Sequence, residues 1–443
     1  MNDWVKAESR AERARKLYDD GRLAEAAAEL RAALDVNPYN ASWHFNLGLT
    51  LEALDDYARA ADAFRRALDL SPDDIETLNS LGANLNRLGR YAEALACFER
   101  IEKIDPTYEP AYCNRIAAYA ELDQHDKAEL MFYLARLFRD ECPLCYYNIG
   151  NSFYNIGQYD RAIDCWRQTL RIDPTHPEVN ARLGDAHWAK GDLRAARDYY
   201  LAELALSPDD TAVRIDYGEL LMQLGDDDEA GRQFRLALGR DSRNASAVFR
   251  LGELALKRGR LASARERFQQ ALRIDPKCPG AHARLGQIHL RQGKRDRAAR
   301  HFLAELRRCG DNPAVLSQLG QLLLEARHPR HANRIFRRLT NLDPSDATAH
   351  HNLAVSCFLD GRIDEGIQHC RRAIKLRPEY PLALYNLALA HYRKGQLPRA
   401  RRYVGKALTL APQQADIRRL AEGMGVAPGR GPVRRLLRRL RRR

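Results

Sequence analysis

The chain carries an amphipathic helical pattern that recurs at a fixed interval. In the stretch from Ala41 to Asp74, apolar side chains recur at helical spacing through Leu47 and Leu51 and again through Phe64, and Pro72 closes the stretch. Spacings of three and four residues place such side chains on one face of a helix. The stretch therefore predicts two amphipathic helices joined by a tight turn.

This stretch is repeated along the chain without an inserted or deleted residue. A turn proline recurs every 34 or 68 residues, at Pro38, Pro72, Pro106, Pro174, Pro208, Pro276, Pro344, Pro378 and Pro412. Turn formers occupy the three skipped places, at Asp140, Ser242 and Gly310. We predict twelve tandem units, spanning 7–40, 41–74, 75–108, 109–142, 143–176, 177–210, 211–244, 245–278, 279–312, 313–346, 347–380 and 381–414.

Small and large side chains alternate within each unit. Position eight is glycine in most units, and position twenty is alanine in all of them except the eleventh, which has Gly366. Position twenty-four supplies an aromatic ring in most units, for example Phe64. A small residue lets two helices approach closely, and the ring fills the space between them.

This 34-residue pattern of Leu-Gly, Tyr or Leu, Ala, Phe, Ala and Pro resembles the tetratricopeptide repeat family over about nine-tenths of the chain. The resemblance implies an all-α fold, a right-handed α-solenoid superhelix of helix-turn-helix units. One hairpin cannot bury its apolar face alone, so the units must stack. Residues 1–6 are predicted to extend the first helix, 413–423 to form a capping helix, and 424–443 to form a Gly/Pro linker and a basic tail.

Composition and charge refine this picture. Of the 443 residues, 45% are apolar and 30% are charged, and the mean hydropathy is −0.55. Without a long apolar run or an apolar N-terminal segment, neither a membrane span nor an export signal is expected. Nine cysteines in such a chain are expected to be reduced thiols. We therefore expect a cytoplasmic protein, with peripheral attachment to a membrane left open.

The tetratricopeptide resemblance implies that the first helix of each unit lines a concave groove that holds a partner. Amides at position six can both donate to and accept from an extended peptide backbone, although packing alone also explains them. The fifth unit is the richest in polar and aromatic groove positions. The predicted groove residues are Asn46, Asn114, Tyr147, Asn148, Asn151, Tyr154, Asn155, Arg182, Asn352 and Asn386.

One further comparison bears on this groove. The carboxylate clamp of chaperone adaptors is matched at Asn148 and Arg182 but broken at Ala117 and Glu178, so that partner is disfavoured. Replacing Asn148 and Asn151 by alanine is expected to weaken partner capture and to leave the melting temperature unchanged.

The candidates for chemistry are weak. The sequence C-P-L-C, from Cys142 to Cys145, falls at a predicted helix N-terminus, which depresses thiol pKa values. No second C-x-x-C or closely spaced Cys/His pair accompanies it, so two structural cysteines are the favoured interpretation over a redox or metal role. Histidines follow the repeat and form no metal motif, and about thirty residues lie outside the array. We expect no enzyme activity, no cofactor and no metal.

The C-terminal tail is not explained by the repeat. Residues 430–443 contain eight arginines and no acidic residue, and apolar residues from Val433 to Leu440 recur at helical spacing. Anionic lipid, nucleic acid, an acidic protein groove or no partner at all remain open. The basic tail residues are Arg434, Arg435, Arg438, Arg439, Arg441, Arg442 and Arg443.

We therefore predict a non-catalytic scaffold or adaptor that binds an extended peptide segment of a partner protein in its groove. The alternative is binding of nucleic acid or an anionic membrane surface through the tail.

Overall fold

The computed structural model describes residues 3–308 and 310–426. These residues form 25 α helices and no β strand. The helices are α1 Asp3–Asp19, α2 Leu23–Leu34, α3 Ala41–Ala53, α4 Tyr57–Leu70, α5 Ile75–Arg87, α6 Tyr91–Ile104, α7 Glu109–Glu121, α8 His125–Phe138, α9 Pro143–Asn155, α10 Tyr159–Ile172, α11 Val179–Ala189, α12 Leu193–Leu206, α13 Thr211–Leu224, α14 Asp227–Arg240, α15 Ala245–Lys257, α16 Leu261–Ile274, α17 Ala281–Arg291, α18 Arg295–Leu306, α19 Pro313–Glu325, α20 Pro329–Leu342, α21 Ala347–Leu359, α22 Ile363–Leu376, α23 Pro381–Arg393, α24 Leu397–Leu410 and α25 Ala415–Gly423.

Each odd-numbered helix up to α23 is the first helix of a hairpin. The turn that follows it contains a residue with positive φ, usually glycine, for which this left-handed conformation carries no steric cost. Asp55, Asp123 and Arg327 occupy the same place in three hairpins and also have positive φ, between 56° and 63°. The turn geometry is therefore retained even where glycine is not.

Glycine at position eight packs against the ring at position twenty-four. A Cβ atom added to Gly82 would lie 2.4 Å from Phe98 Cε1, and one added to Gly150 would lie 2.5 Å from Trp166 Nε1. Such distances leave no room for a side chain. The eleventh unit reverses the arrangement, because its glycine is Gly366 on the second helix and its ring is Phe358 on the first.

The chain divides into two compact units, Met1–Gln233 and Phe234–Arg443. The core of the first contains Phe64, Phe98 and Trp166, and the core of the second contains Phe268 and Phe336, all fully buried. The prediction of an all-α array of stacked helical hairpins is confirmed. None of the helices in the described part of the chain combines the length and the apolar character that crossing a membrane requires.

Candidate functional site

Three of the position-six amides donate to position five of the preceding unit. Asn114 Nδ2 lies 3.0 Å from Asn79 Oδ1, Asn148 Nδ2 lies 3.1 Å from the carbonyl oxygen of Cys113, and Asn386 Nδ2 lies 2.9 Å from His351 Nε2. Each bond joins two consecutive first helices. The amide nitrogen at these three places is therefore committed to the contact between neighbouring units.

The remaining position-six asparagines differ in environment. Asn46 is exposed on α3, and Asn352 is half-buried on α21. Their role as groove contacts stays a prediction.

The predicted face of the fifth unit lies on α9. Asn148 is only 9% exposed, whereas Asn155 is fully on the surface. Asn151 is half-buried, and its Oδ1 has no hydrogen-bond partner. The Tyr147 hydroxyl donates to Glu178 Oε2 at 2.9 Å. Of the five residues, Asn151, Tyr154 and Asn155 are thus better placed to meet a ligand than Asn148.

Arg182 lies on α11 between acidic side chains. Its guanidinium is 3.9 Å from Glu178 and 3.8 Å from Asp185. These carboxylates offset the positive charge that would attract the carboxylate of a peptide. The electrostatics around Arg182 therefore disfavour a carboxylate clamp.

An open cleft lies against α9, α11 and α13, all within the first compact unit. It has a volume of about 740 Å³, open solvent included, and is lined by Tyr154, Asp185, Trp188, Ala189 and Asp216. All five occupy positions six, nine, twelve or thirteen of their units, which are groove positions. We call it the Tyr154 cleft.

The Tyr154 cleft combines two carboxylates with two aromatic rings. Burial raises the pKa of Asp185, although a hydrogen bond from the Tyr200 hydroxyl at 2.5 Å and the nearby Arg182 act in the opposite direction. The Trp188 indole donates to Gln223 Oε1, which fixes the ring at the edge of the cleft. Carboxylates beside aromatic faces suit a cationic side chain.

A second cleft lies in the second compact unit, between α21 and α23. It has a volume of about 450 Å³, open solvent included, and is lined mainly by apolar groups, including Val355, Phe358 and Leu389, with Asn386 and Arg393 as its polar members. Most of its lining residues stand at groove positions, but it lacks the carboxylates of the Tyr154 cleft.

Sequence reasoning identified Tyr154 and Asn386, but it missed Trp188. The signal was available, because Trp188 stands at position twelve of the sixth unit, one repeat after Tyr154. Only the stacking of the fifth unit against the sixth brings the two rings to one cleft.

Family models for the tetratricopeptide repeat match residues 12–75, 147–211 and 182–246, and a second such model matches 75–101. A model described as the cilia and flagella-associated protein 70 C-terminal domain matches residues 232–432. The chain belongs to the tetratricopeptide repeat family. Proteins with this fold are protein–protein interaction scaffolds and bind protein partners.

Solved structures resemble this tetratricopeptide repeat protein in their helical fold. Yeast Tom70 is 17% identical over 95% of this chain and 96% of its own, with a TM-score of 0.40. TTC0263, a thermophilic TPR protein of Thermus thermophilus, is 25% identical over 41% of this chain and 100% of its own, with a TM-score of 0.39. The human IFIT1 dimer with m7Gppp-AAAA is 16% identical over 84% of this chain and 90% of its own, with a TM-score of 0.45. No curated protein sequence matches the chain.

The C-P-L-C cysteines of this tetratricopeptide repeat protein meet a third cysteine from the preceding unit. Cys113 on α7 forms a disulfide with Cys145 on α9, and the free thiol of Cys142 lies 3.3 Å from Cys113 Sγ. The expectation that all the cysteines are reduced is therefore wrong for this pair. The reason is that α7 and α9, the first helices of consecutive units, pack side by side.

The expected depression of thiol pKa at this helix N-terminus is also wrong. Burial, together with a hydrogen bond to the Glu109 carboxylate, raises the pKa of Cys142 to about 11. Cys142 and Cys145 are buried, as structural cysteines would be. Sequence reasoning missed Cys113 and Glu109 because they precede the C-P-L-C sequence by about one repeat and approach it only in the fold.

The basic tail from Arg434 to Arg443, which carries the alternative function, lies outside the described residues. Its partner stays a prediction.

Proposed function

We propose that this protein is a non-catalytic scaffold that holds an extended segment of a partner protein against its first helices, with a basic side chain of that segment in the Tyr154 cleft. One observation carries the proposal: every residue that lines the cleft stands at a groove position, and two of the five are aspartates.

The energetics of the cleft favour a lysine or arginine. A cation over the face of a tryptophan or tyrosine gains about 0.5–2 kcal/mol, depending on how far it is desolvated. The carboxylate of Asp216 adds a charge-assisted hydrogen bond, which is shorter and stronger than a neutral one. Asn155 lies on the same helix as Tyr154, and its exposed side chain is available to the backbone of the segment.

The proposal is tested with the full chain on an array of synthetic peptides of random sequence. The expected result is selection of extended peptides that contain a lysine or arginine at one fixed place. Asp216→Asn should weaken binding of the selected peptides by about tenfold, the worth of one charged contact, and Trp188→Ala should weaken it comparably.

Asp69→Asn is the matched control, because Asp69 is exposed on α4, a second helix, and the charge change is identical. It should bind the selected peptides as the unmodified chain does. Selection of peptides without a basic residue, or equal loss in the Asp69 variant, contradicts the proposal.

A further inference from the structure

The cluster at the junction of the fourth and fifth units contains four potential metal ligands. Glu109 and Cys113 lie one turn apart at the start of α7, Cys142 precedes α9, and Cys145 lies in its first turn. One donor atom from each of the four lies within 4.8 Å of every other. The residues are buried, with Cys145 1% and Glu109 9% exposed.

Two of the donor spacings lie near those around a single tetrahedral ion, and the sulfurs of Cys113 and Cys145 separate when their disulfide is reduced. Zinc–sulfur bonds of about 2.3 Å place two sulfurs on one zinc ion about 3.8 Å apart. Cys142 Sγ lies 3.3 Å from Cys113 Sγ, and Glu109 Oε1 lies 3.4 Å from Cys145 Sγ. The C-x-x-C spacing of Cys142 and Cys145 is the usual one for two thiolates on one zinc ion.

The position of Glu109 is poorly explained by the disulfide alone. Its Oε1 lies 2.7 Å from Cys113 Sγ, which in the disulfide carries no hydrogen to donate. A buried carboxylate against such a sulfur is electrostatically unfavourable, and the hydrogen bond from the Cys142 thiol offsets this only in part. A cation held between the carboxylate and the three sulfurs turns the same arrangement into a set of ligands.

The surroundings support the ligands. Asn148 donates to the carbonyl oxygen of Cys113, which holds the backbone of this ligand in place. Hydrogen bonds of this kind orient ligands and raise metal affinity. The two pairs of donors come from consecutive first helices, so an ion here would cross-link neighbouring units.

We propose that the reduced chain binds one Zn²⁺ through Glu109, Cys113, Cys142 and Cys145. A dithiol reductant supplies the two electrons and two protons that convert the Cys113–Cys145 disulfide to two thiols, and is itself oxidised to a disulfide. Three thiols then lose one proton each as their sulfurs bind the ion, and the Glu109 carboxylate provides the fourth donor. The disulfide and the zinc complex are mutually exclusive, because they use the same two sulfurs.

The test uses the full chain, reduced and freed of metal with a chelator. Added Zn²⁺ is titrated against a chromogenic chelator, and the expected result is one tightly held ion per chain. Cys113→Ser, Cys142→Ser and Cys145→Ser should each weaken zinc binding by more than about tenfold, since loss of a second-shell partner alone costs about that. Cys97→Ser and Cys165→Ser, at half-buried cysteines of the same compact unit, are the matched controls and should bind as the unmodified chain does.

Spectroscopy on the unmodified chain keeps the test independent of variant folding. X-ray absorption of the zinc-loaded protein should show three sulfur neighbours and one oxygen, and Co²⁺ in its place should show tetrahedral thiolate bands. Oxidation that re-forms the disulfide should release the ion. Absence of tight zinc binding by the reduced chain, an oxygen- or nitrogen-rich first shell, or equal loss in the Cys97 and Cys165 variants overturns the proposal.

Discussion

Asn148 shows how one residue type at one repeat position can serve architecture or recognition. Its position predicts a groove contact, yet the residue is 9% exposed and donates across to the preceding unit. The exposure of the side chain at position six is set by how closely the first helix of the preceding unit packs against its own helix. That closeness depends on side chains one repeat away, which a single-unit pattern does not include.

The position of Asn148 changes what its replacement should do. Asn148→Ala removes the hydrogen bond to the carbonyl oxygen of Cys113, which costs about 0.5–1.5 kcal/mol. We expect a lower melting temperature and faster hydrogen exchange in α9, contrary to the expectation from sequence that melting is unchanged. Asn155→Ala is the control, because its exposed side chain should contribute less than about 0.5 kcal/mol. Equal melting temperatures for the two variants would contradict the role of Asn148 as a brace.

The cysteine cluster marks the limit of sequence reasoning for single residues. Cys142 and Cys145 are recognisable as a pair because they are close in the chain. Cys113 is separated from Cys145 by 32 residues, and Glu109 is farther still. A contact between consecutive units can be predicted from sequence only if residues one repeat apart are compared. That comparison also requires knowing in advance how the first helices pack.

At the scale of the hairpin, the small and large positions act as a matched pair. Units with alanine at position eight, at Ala14, Ala354 and Ala388, have no ring at position twenty-four, where Leu30, Cys370 and Val404 stand. Units with glycine at position eight have the ring. The sequence pattern alone predicts the hairpin, and the steric distances explain the pairing.

This pairing predicts the effect of a single methyl group. A Cβ added to Gly286 would lie 2.4 Å from Phe302 Cε1, so Gly286→Ala should destabilise the second compact unit by about 1–3 kcal/mol through overpacking. Gly239→Ala is the control, because no atom lies within 4 Å of the added Cβ and alanine favours a helix by about 0.5–1 kcal/mol. Urea unfolding followed by circular dichroism measures both. The double variant Gly286→Ala/Phe302→Leu, which copies the first unit, should recover part of the loss, and no recovery would contradict the steric account.

A second hairpin feature, the histidines of α17 and α18, predicts a pH dependence. Burial, followed by the charges of His282, His289 and Arg300, lowers the pKa of His301 to about 4. An unfolded histidine has a pKa of about 6.5, so between these values the unfolded chain binds more protons than the folded one. The contribution of uncharged His301 to the stability of the folded chain is therefore complete above about pH 6.5 and is lost as the pH drops toward 4.

We expect the melting temperature of the full chain to fall between pH 7 and pH 5. These histidines should cause no change between pH 7 and pH 8. His301→Gln should reduce the fall, since glutamine fills a similar space without titrating. An unchanged fall in this variant would assign the pH dependence to other groups.

At the scale of the whole molecule, the proposed sites lie where units differ. The residues that the units share account for the helices, turns and core. These features can be predicted from sequence because the same pattern recurs in each unit. The Tyr154 cleft and the cysteine cluster arise from departures from the pattern in the fourth to seventh repeats, and their residues all belong to the first compact unit. A pattern averaged over the repeats removes such departures, so the fold is easier to predict than the site.

The tail separates the two functions considered for the whole chain. Removing residues 432–443 takes away seven of the eight arginines of the segment from Arg430 to Arg443. If the tail binds nucleic acid or an anionic membrane, the deletion should abolish salt-sensitive binding to single-stranded RNA or to phosphatidylserine vesicles, since each neutralised phosphate of a single strand contributes about 0.7 to the slope of log K against log salt. Peptide binding at the Tyr154 cleft should not change.

A variant with every tail arginine replaced by lysine keeps the charge, so retained binding in that variant assigns the effect to charge rather than to arginine. RNA and vesicle binding that survives the deletion would remove the tail as the cause, and loss of peptide binding on deletion would contradict the assignment of recognition to the first helices.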